Sequence, residues 1–268
     1  MSYGPLRAGF GYFMKYVTAF HTDAGTRKKV NQDSFLCVQA SAGENNILFT
    51  AVCDGCGGLE MGEEASGTLV KHLSEWFRTQ MPKLLDRGFS SDRLKKSLRK
   101  AVSRAHQDIR DSAAARGSES GTTCAALLIF GGNYYILNVG DSRIYLISDG
   151  LYQLTKDHTV VQQQIDLGRM TYEEAAGDPG RSVLTRCVGT GSDPVPDFFT
   201  GSAICGRTFL LCTDGFTHMI APSEICTYLA PSRCTSRPVI QSSLKYLTDL
   251  CMSRGERDNI TALIIRTC

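Results

Sequence analysis

The chain has 268 residues, 42% apolar and 21% charged, with a formal net charge of +2; that is enough for one large domain or two small ones with a sizeable core. The charge balance excludes the strong basic excess of nucleic-acid or anionic-membrane binding. The longest apolar runs, such as Cys124–Phe130, are too short to cross a bilayer, and Met1–Phe10 lacks the charged start and apolar block of a secretory signal.

In chain order, residues 1–14 show no period and read as an N-terminal extension, packed on the surface or disordered. Residues 15–268 read as a single domain, because neither a linker nor an internal repeat divides them. Tyr16–His21 reads as a strand, Thr22–Val30 as a basic turn, Ser34–Gln39 as a short strand and Ala40–Asn46 as a turn. The next strand, Leu48-Phe-Thr-Ala-Val-Cys-Asp54, stops at an acid followed by a glycine cluster. From about Glu63 the period becomes helical, with Leu69, Leu73, Trp76 and Phe77 on one stripe and Pro82 bounding the element. A second helix is expected over 91–115, capped by Ser90 or Ser91, with Leu94, Leu98, Val102, Ala105 and Ile109 on its apolar face. Its opposite face, rich in lysine and arginine, reads either as solvated or as a dock for an acidic partner.

A β-meander follows, over Thr123–Phe130, Asn133–Val139, Arg143–Ser148 and Leu151–Thr155, with Asp149-Gly150 as a hairpin turn. Residues 157–186 break the pattern with short helical pieces, Val160–Leu167 and Thr171–Ala176; a segment of this length between strands is often a lid. Thr208–Thr213 and Ile260–Ile265 return to strand, and Pro222–Leu229 and Arg237–Met252 to helix. Strands clustered in hairpins and helices grouped apart argue for an α+β fold.

Acids recur at strand ends. Asp54, Asp141 and Asp214 each close an apolar run beside a glycine, and Asp258 opens the last run. Carboxylates and an accessible carbonyl such as that of Gly55 are hard oxygen ligands, suited to magnesium, manganese or calcium. Taken alone, Asp-Gly is also a common turn. Cys53 and Cys56 form a C-x-x-C, but no second pair completes a zinc site. Eleven scattered cysteines, an odd count, predict free thiols in a reducing cytoplasm.

The ordered set Lys28-Lys-Val-Asn-Gln-Asp33, Asp54-Gly-Cys-Gly-Gly58, Gly121-Thr-Thr123, Val139-Gly-Asp-Ser-Arg143, Thr155-Lys-Asp-His-Thr159, Leu184-Thr-Arg186, Thr213-Asp-Gly215 and Arg257-Asp-Asn-Ile-Thr261 resembles the type 2C metal-dependent serine/threonine protein phosphatases, in their compact bacterial form, over roughly residues 16–266. The resemblance implies a central sandwich of two antiparallel β-sheets flanked by helices on both outer faces, with a flap at about 157–186. It implies two divalent cations, manganese or magnesium. Asp54 would bridge them, Gly55 would offer its carbonyl, and Asp214 and Asp258 would complete the second site. Asp33 would hold metal-bound waters, and Asp141 would support a third, weaker site; Asp141 reads equally well as a turn residue paired with Arg143. Two ions about 3.5–4 Å apart share a water and lower its pKa, so the implied reaction is direct attack of a bridging hydroxide on phosphoserine or phosphothreonine.

Two positions depart from the family pattern. Lys28 stands where an arginine usually grips the substrate phosphate, with Arg27 beside it; lysine supplies charge but no bidentate fork. Cys56 stands where relatives carry histidine or methionine, and a neutral thiol is a poor acid; oxidation of this thiol near the metals is one route to shutting the site. His158 reads as a hydrogen-bonding residue. By family analogy the partners are phosphoproteins, a cognate serine/threonine kinase and its substrates, with no nucleic acid and no membrane, for a cytoplasmic monomer. The competing expectation is a catalytically silent phosphatase-like module that binds a phosphoprotein.

Overall fold

The computed structural model describes residues 14–43, 45–57 and 61–268. In chain order, β1 (Tyr16–Asp23), β2 (Asp33–Ala42) and β3 (Asn45–Gly57) precede the long helices α1 (Met61–Asp86) and α2 (Ser91–Ala115). Then come β4 (Ser120–Thr122), β5 (Cys124–Phe130), β6 (Asn133–Val139), β7 (Arg143–Ile147) and β8 (Leu151–Gln153), followed by the short helices α3 (Val160–Asp166) and α4 (Tyr172–Gly177). β9 (Asp197–Ser202), β10 (Thr208–Cys212), α5 (Asp214–Thr217), α6 (Pro222–Leu229), α7 (Arg237–Ser253) and β11 (Ile260–Thr267) complete the order.

The strands form two antiparallel sheets, β1-β11-β10-β7-β8 and β2-β3-β5-β6-β9, with β4 beside the end of β3. Three apolar layers explain the stacking. Leu48, Val52, Leu127, Phe209, Leu211 and Leu263 fill the space between the sheets. Phe49, Ala51 and Cys53, the alternate residues of β3, pack outward against Leu69, Leu73, Trp76 and Leu98 of α1 and α2. On the other outer face Leu210, Cys212 and Ile264 meet Ile240, Leu244 and Leu247 of α7. The sandwich with helices on both faces is the expected α+β fold.

The two-residue alternation of a strand also aims the acids. Asp54 has the parity of Leu48 and Val52, so it ends the row that faces the opposite sheet. Thr213 continues the inward row of Phe209 and Leu211, and Thr261 that of Leu263 and Ile265. One rim of the inter-sheet layer is therefore polar.

Several boundaries shift. Pro82 lies inside α1 rather than at its end: Phe77 and Met81 stay buried on the packed stripe, and that burial outweighs the one backbone hydrogen bond proline removes. The turn expected over 40–46 contracts, because Ala42 pairs with Asn45 and Gly43 takes φ +60°. β9 was not anticipated; it is a short edge strand against β6, entered directly after Pro196, and has no long apolar run to announce it. Ser90 is the N-cap of α2, accepting from the Arg93 amide. Of the extension read over 1–14, only Met14 lies within the described residues; it is buried between the sheets, and its carbonyl accepts from Asn46 Nδ2 at 3.0 Å.

Phe49 is fully buried, with its ring centroid 5.2 Å from Trp76 and 5.6 Å from Phe77. Phe49→Ala should destabilise the fold by about 3–5 kcal/mol, read as a drop in the urea midpoint; a drop under about 1 kcal/mol would mean that this layer is not packed as described.

Candidate functional site

Asp33 and Asp54 face one another across the first hairpin, as Cα partners of β2 and β3. The backbone of Asp54 is held by the Gly121-Thr-Thr stretch: its amide donates to Thr123 Oγ1 at 2.9 Å, and its carbonyl accepts from the Thr123 amide and Thr122 Oγ1, each at 2.9 Å. Thr123 Oγ1 in turn meets Ser142 Oγ at 2.6 Å, next to Asp141. Asp33 Oδ2 accepts from Thr213 Oγ1 at 2.9 Å, the residue before Asp214. Asn259, beside Asp258, accepts from the Gln32 amide at 2.9 Å and donates to the carbonyls of Ala24 and Val30. Five acids from distant segments are thus tied together by hydroxyls and one amide side chain.

Two glycines allow the close approach. A Cβ on Gly55 would lie 2.1 Å from the Gly62 carbonyl oxygen of α1, and one on Gly215 would lie 2.2 Å from the Asn259 carbonyl oxygen. Backbone oxygens at those distances leave no room for a side chain.

The acids raise one another's proton affinity. Burial pushes Asp33 up to about 7; the hydroxyls of Thr261 and Thr213 oppose it, and the charges of Asp214 and Asp258 add to it. Burial, then the charges of Asp33, Asp214, Asp141 and Asp258, drive Asp54 well above the carboxylate range. Burial and the Asp214 charge push Asp141 up to about 8. Asp214 goes the other way: burial raises it, but hydrogen bonding to His218 and that ring's charge hold it below its ordinary value. His218 Nε2 lies 3.2 Å from Asp214 Oδ2, and its Nδ1 lies 3.1 Å from Glu256 Oε2. Against the opposing effect of burial, these two carboxylates bring His218 up to about 9.

Lys28 Nζ forms an ion pair with Asp258 Oδ1 at 2.8 Å and contacts Gln32 Oε1 at 3.3 Å. Lys28 is thus brought to the acids. Arg27 is exposed, and among the described residues it forms no hydrogen bond or ion pair with them. A cleft of about 290 Å³ opens beside the acids, lined by Asp141, Asp157, Ser182, Asp214 and His218 among others. Its outer wall is the segment expected as a flap. Arg143 grips Asp157 with two guanidinium nitrogens at 2.6–3.1 Å, which fastens the start of that segment. His158 is buried and structural: its Nδ1 accepts from the Gly140 amide at 3.1 Å, and Nε2 meets Asp197 at 3.1 Å.

The donor set suits a divalent ion of the hard class. It is all oxygen, and Asp33 Oδ1 and Asp214 Oδ1 are buried with no hydrogen-bond partner. Among the described residues no three His, Cys, Asp or Glu side chains are already arranged to hold a metal ion: the acids are gathered, but Asp258 is turned to Lys28 and Asp214 to His218.

The family model for protein phosphatase 2C matches residues 22–249. The chain belongs to the protein phosphatase 2C family. A putative protein phosphatase 2C-type from Streptococcus pyogenes is 30% identical over 91% of this chain and 94% of its own length. PstP, a serine/threonine protein phosphatase of Mycobacterium tuberculosis, is 32% identical over 92% of this chain and 44% of its own. The structure of the S. agalactiae serine/threonine phosphatase superposes with a TM-score of 0.82 at 26% identity, covering 94% of this chain and 99% of that one. The PstP catalytic domain, solved with two manganese ions, gives 0.75 at 28% identity, covering 95% and 99%.

In this protein phosphatase 2C chain, sequence reasoning missed His218 and Glu256. It treated Thr213-Asp-Gly215 as a strand-end turn, whereas Asp214 opens the short helix α5 and His218 caps it. Once a helix is assumed there, the i,i+4 spacing places the histidine over the acid. Glu256 also accepts from the amides of Arg257 at 2.7 Å and Asp258 at 2.9 Å, a local turn signal two residues before the predicted ligand.

Asp33, Asp141 and His218, raised to about 7, 8 and 9, each keep a proton in the folded chain at pH values where the unfolded chain has lost it. Stability is therefore lost as pH rises toward those values. In chelator, the melting temperature should fall between about pH 6 and pH 9, and manganese should remove most of the fall. A flat profile in chelator would mean that these groups are not buried together.

Proposed function

We propose that this chain hydrolyses phosphoserine and phosphothreonine in proteins with the help of two divalent cations, manganese or magnesium. The observation that carries the reading is the gathering of Asp33, Asp54, Asp141, Asp214 and Asp258 at one rim of the inter-sheet layer, with buried carboxylate oxygens of Asp33 and Asp214 lacking hydrogen-bond partners. Asp54, the Gly55 carbonyl, Asp214 and Asp258 would hold the pair of ions, Asp33 would act through their waters, and Asp141 would serve a third, weaker site. Bound there, the ions supply a nucleophilic hydroxide near neutral pH and neutralise charge on the phosphoryl group.

The chain's own residues do the rest. Thr122 and Thr123 fix the Asp54 backbone, and Thr213 donates to the Asp33 carboxylate. His218 holds the Asp214 carboxylate and Glu256 accepts from the Asp258 amide, so the two orient the residues that would ligate the ions. Lys28, 2.8 Å from Asp258, brings the cation that binds the substrate phosphate, with Arg27 on the same turn as an outer contact. The segment 157–186 forms one wall of the cleft and acts as the flap over 15–268, a single catalytic domain. Neither His158 nor Cys56 stands ready as the acid for the leaving alkoxide: His158 is spent on Gly140 and Asp197, and the sulfur contact with Cys187, then burial and nearby acids, keep Cys56 a neutral thiol. Water fills that role.

No helix among the described residues is long and apolar enough to cross a membrane. By family analogy the chain is a cytoplasmic monomer that opposes a serine/threonine kinase and acts on that kinase's substrates; its free thiols suit a reducing compartment.

Dephosphorylation of a phosphothreonine peptide should require manganese or magnesium, vanish in chelator, and fall about a hundredfold or more in Asp54→Ala; undiminished turnover in chelator would end the metal-hydrolase reading. Lys28→Ala should raise KM for the peptide roughly tenfold, the loss of one charge-assisted contact. An unchanged KM would transfer the phosphate grip to Arg27 or another group.

A further inference from the structure

The two cysteines of the Cys53-x-x-Cys56 stretch do not pair with each other; each finds a partner far away in sequence. Cys53 points outward from β3 into the helix-covered layer, fully buried, and lies beside Cys124 of the neighbouring strand β5, which is equally buried. Cys56 points the other way, is only half-buried, and has its Sγ 3.3 Å from Sγ of Cys187. The contact passes over a glycine. Cys56 is the Cα partner of Gly121 on β4, and Val188 bridges to Thr122 from β4's other side. A Cβ on Gly121 would lie 2.4 Å from Cys187 Sγ, so the missing methyl is what lets the two sulfurs meet.

We propose that Cys56 and Cys187 are a dithiol that a peroxide closes into an intramolecular disulfide, silencing the site reversibly. This rests on the phosphatase reading for its effect on turnover, but not for the bond itself. The chemistry balances: two S–H bonds and the O–O bond of hydrogen peroxide break, one S–S bond forms, and two waters leave. A disulfide holds its sulfurs about 2 Å apart, so roughly 1.3 Å of approach remains. That movement falls on a place without slack. Cys56 follows Gly55, whose backbone is wedged against Gly62, and lies two residues from Asp54. Cys187 follows the flap segment, whose end is held by the Arg186–Asp197 ion pair at 2.8 Å. The bond would tie the ligand turn to the exit of the flap and pull the Gly55 carbonyl from its position. The Cys53–Cys124 pair, 0% exposed on both sides, is shielded from the same oxidant. Left alone, a sulfenic acid on either cysteine would continue toward sulfinic acid, which thiols do not reduce; the neighbouring thiol captures it as the disulfide and makes the change recoverable.

The test treats the manganese-loaded chain with hydrogen peroxide, blocks remaining thiols, and maps peptides without reduction. A linked Cys56–Cys187 peptide is expected, with a loss of phosphopeptide hydrolysis of about tenfold that dithiothreitol restores. In Cys187→Ala the linked peptide is absent, and dithiothreitol restores a clearly smaller share of the activity lost to peroxide than in the unaltered chain, because sulfinic acid accumulates. Absence of the linked peptide in the unaltered chain, a linked chain that keeps full activity, or equal recovery in Cys187→Ala would each overturn the proposal. The peptide map needs no substrate, so a chain that forms the link yet hydrolyses nothing would overturn the phosphatase reading and leave the dithiol standing.

Discussion

Carboxylates crowded into a poorly hydrated rim repel each other, and the rest of the fold is arranged to hold them there. Asp33, Asp54 and Asp141 all bind protons far more tightly than free aspartate does, with burial as the first cause and neighbouring acids adding to it. A rim of this kind persists only if its backbone is fixed by bonds that do not depend on the charges. Those bonds are present. Thr123 grips Asp54 through both its amide and its hydroxyl, Thr213 reaches Asp33, and Asn259 staples the start of β11 to the turn that carries Lys28. Repulsion stored against a rigid frame is what bound divalent cations would relieve.

The frame comes from the pleat. In β3, one set of alternate residues serves the inter-sheet layer and the other serves the helices α1 and α2. Asp54 inherits the inward direction from Val52 and Leu48, and the antiparallel register with β2 puts Asp33 opposite it. A slip of one residue in that hairpin would send the acid out among leucines and tryptophan. The same apolar pattern that stabilises the sandwich therefore also specifies where the charge points.

Much of this was legible in local sequence. The stripe through Leu69, Leu73 and Trp76, the hairpin at Asp149-Gly150 and the acids closing apolar runs each announce an element or a strand end. The ordered motifs extended that to the family. Long-range choices were not legible. Nothing around Cys56 names Cys187 as its neighbour, because the contact depends on Gly121 lying between β3 and the loop that bridges at Val188, which meet only in the fold. His218 was passed over because its significance depends on a four-residue helix, too short for any period to reveal. β9 escaped because an edge strand of six residues packs on few partners. Pro82 misled because its effect on a helix yields to packing when Phe77 and Met81, in the turn before it, are buried.

Glu256 sits where the outer helical layer touches the acids. Its amide donates to the Cys251 carbonyl at the end of α7, while its carboxylate accepts from the Asp258 amide and meets His218. Two residues earlier, Arg254 of the same helix end is clamped to Glu224 of α6 by two guanidinium contacts at 2.7 Å. The outer helical layer is thereby geared to the rim through Glu256: a small rotation of the α6–α7 pair would be felt by Asp214 and Asp258 at once, without deforming either sheet.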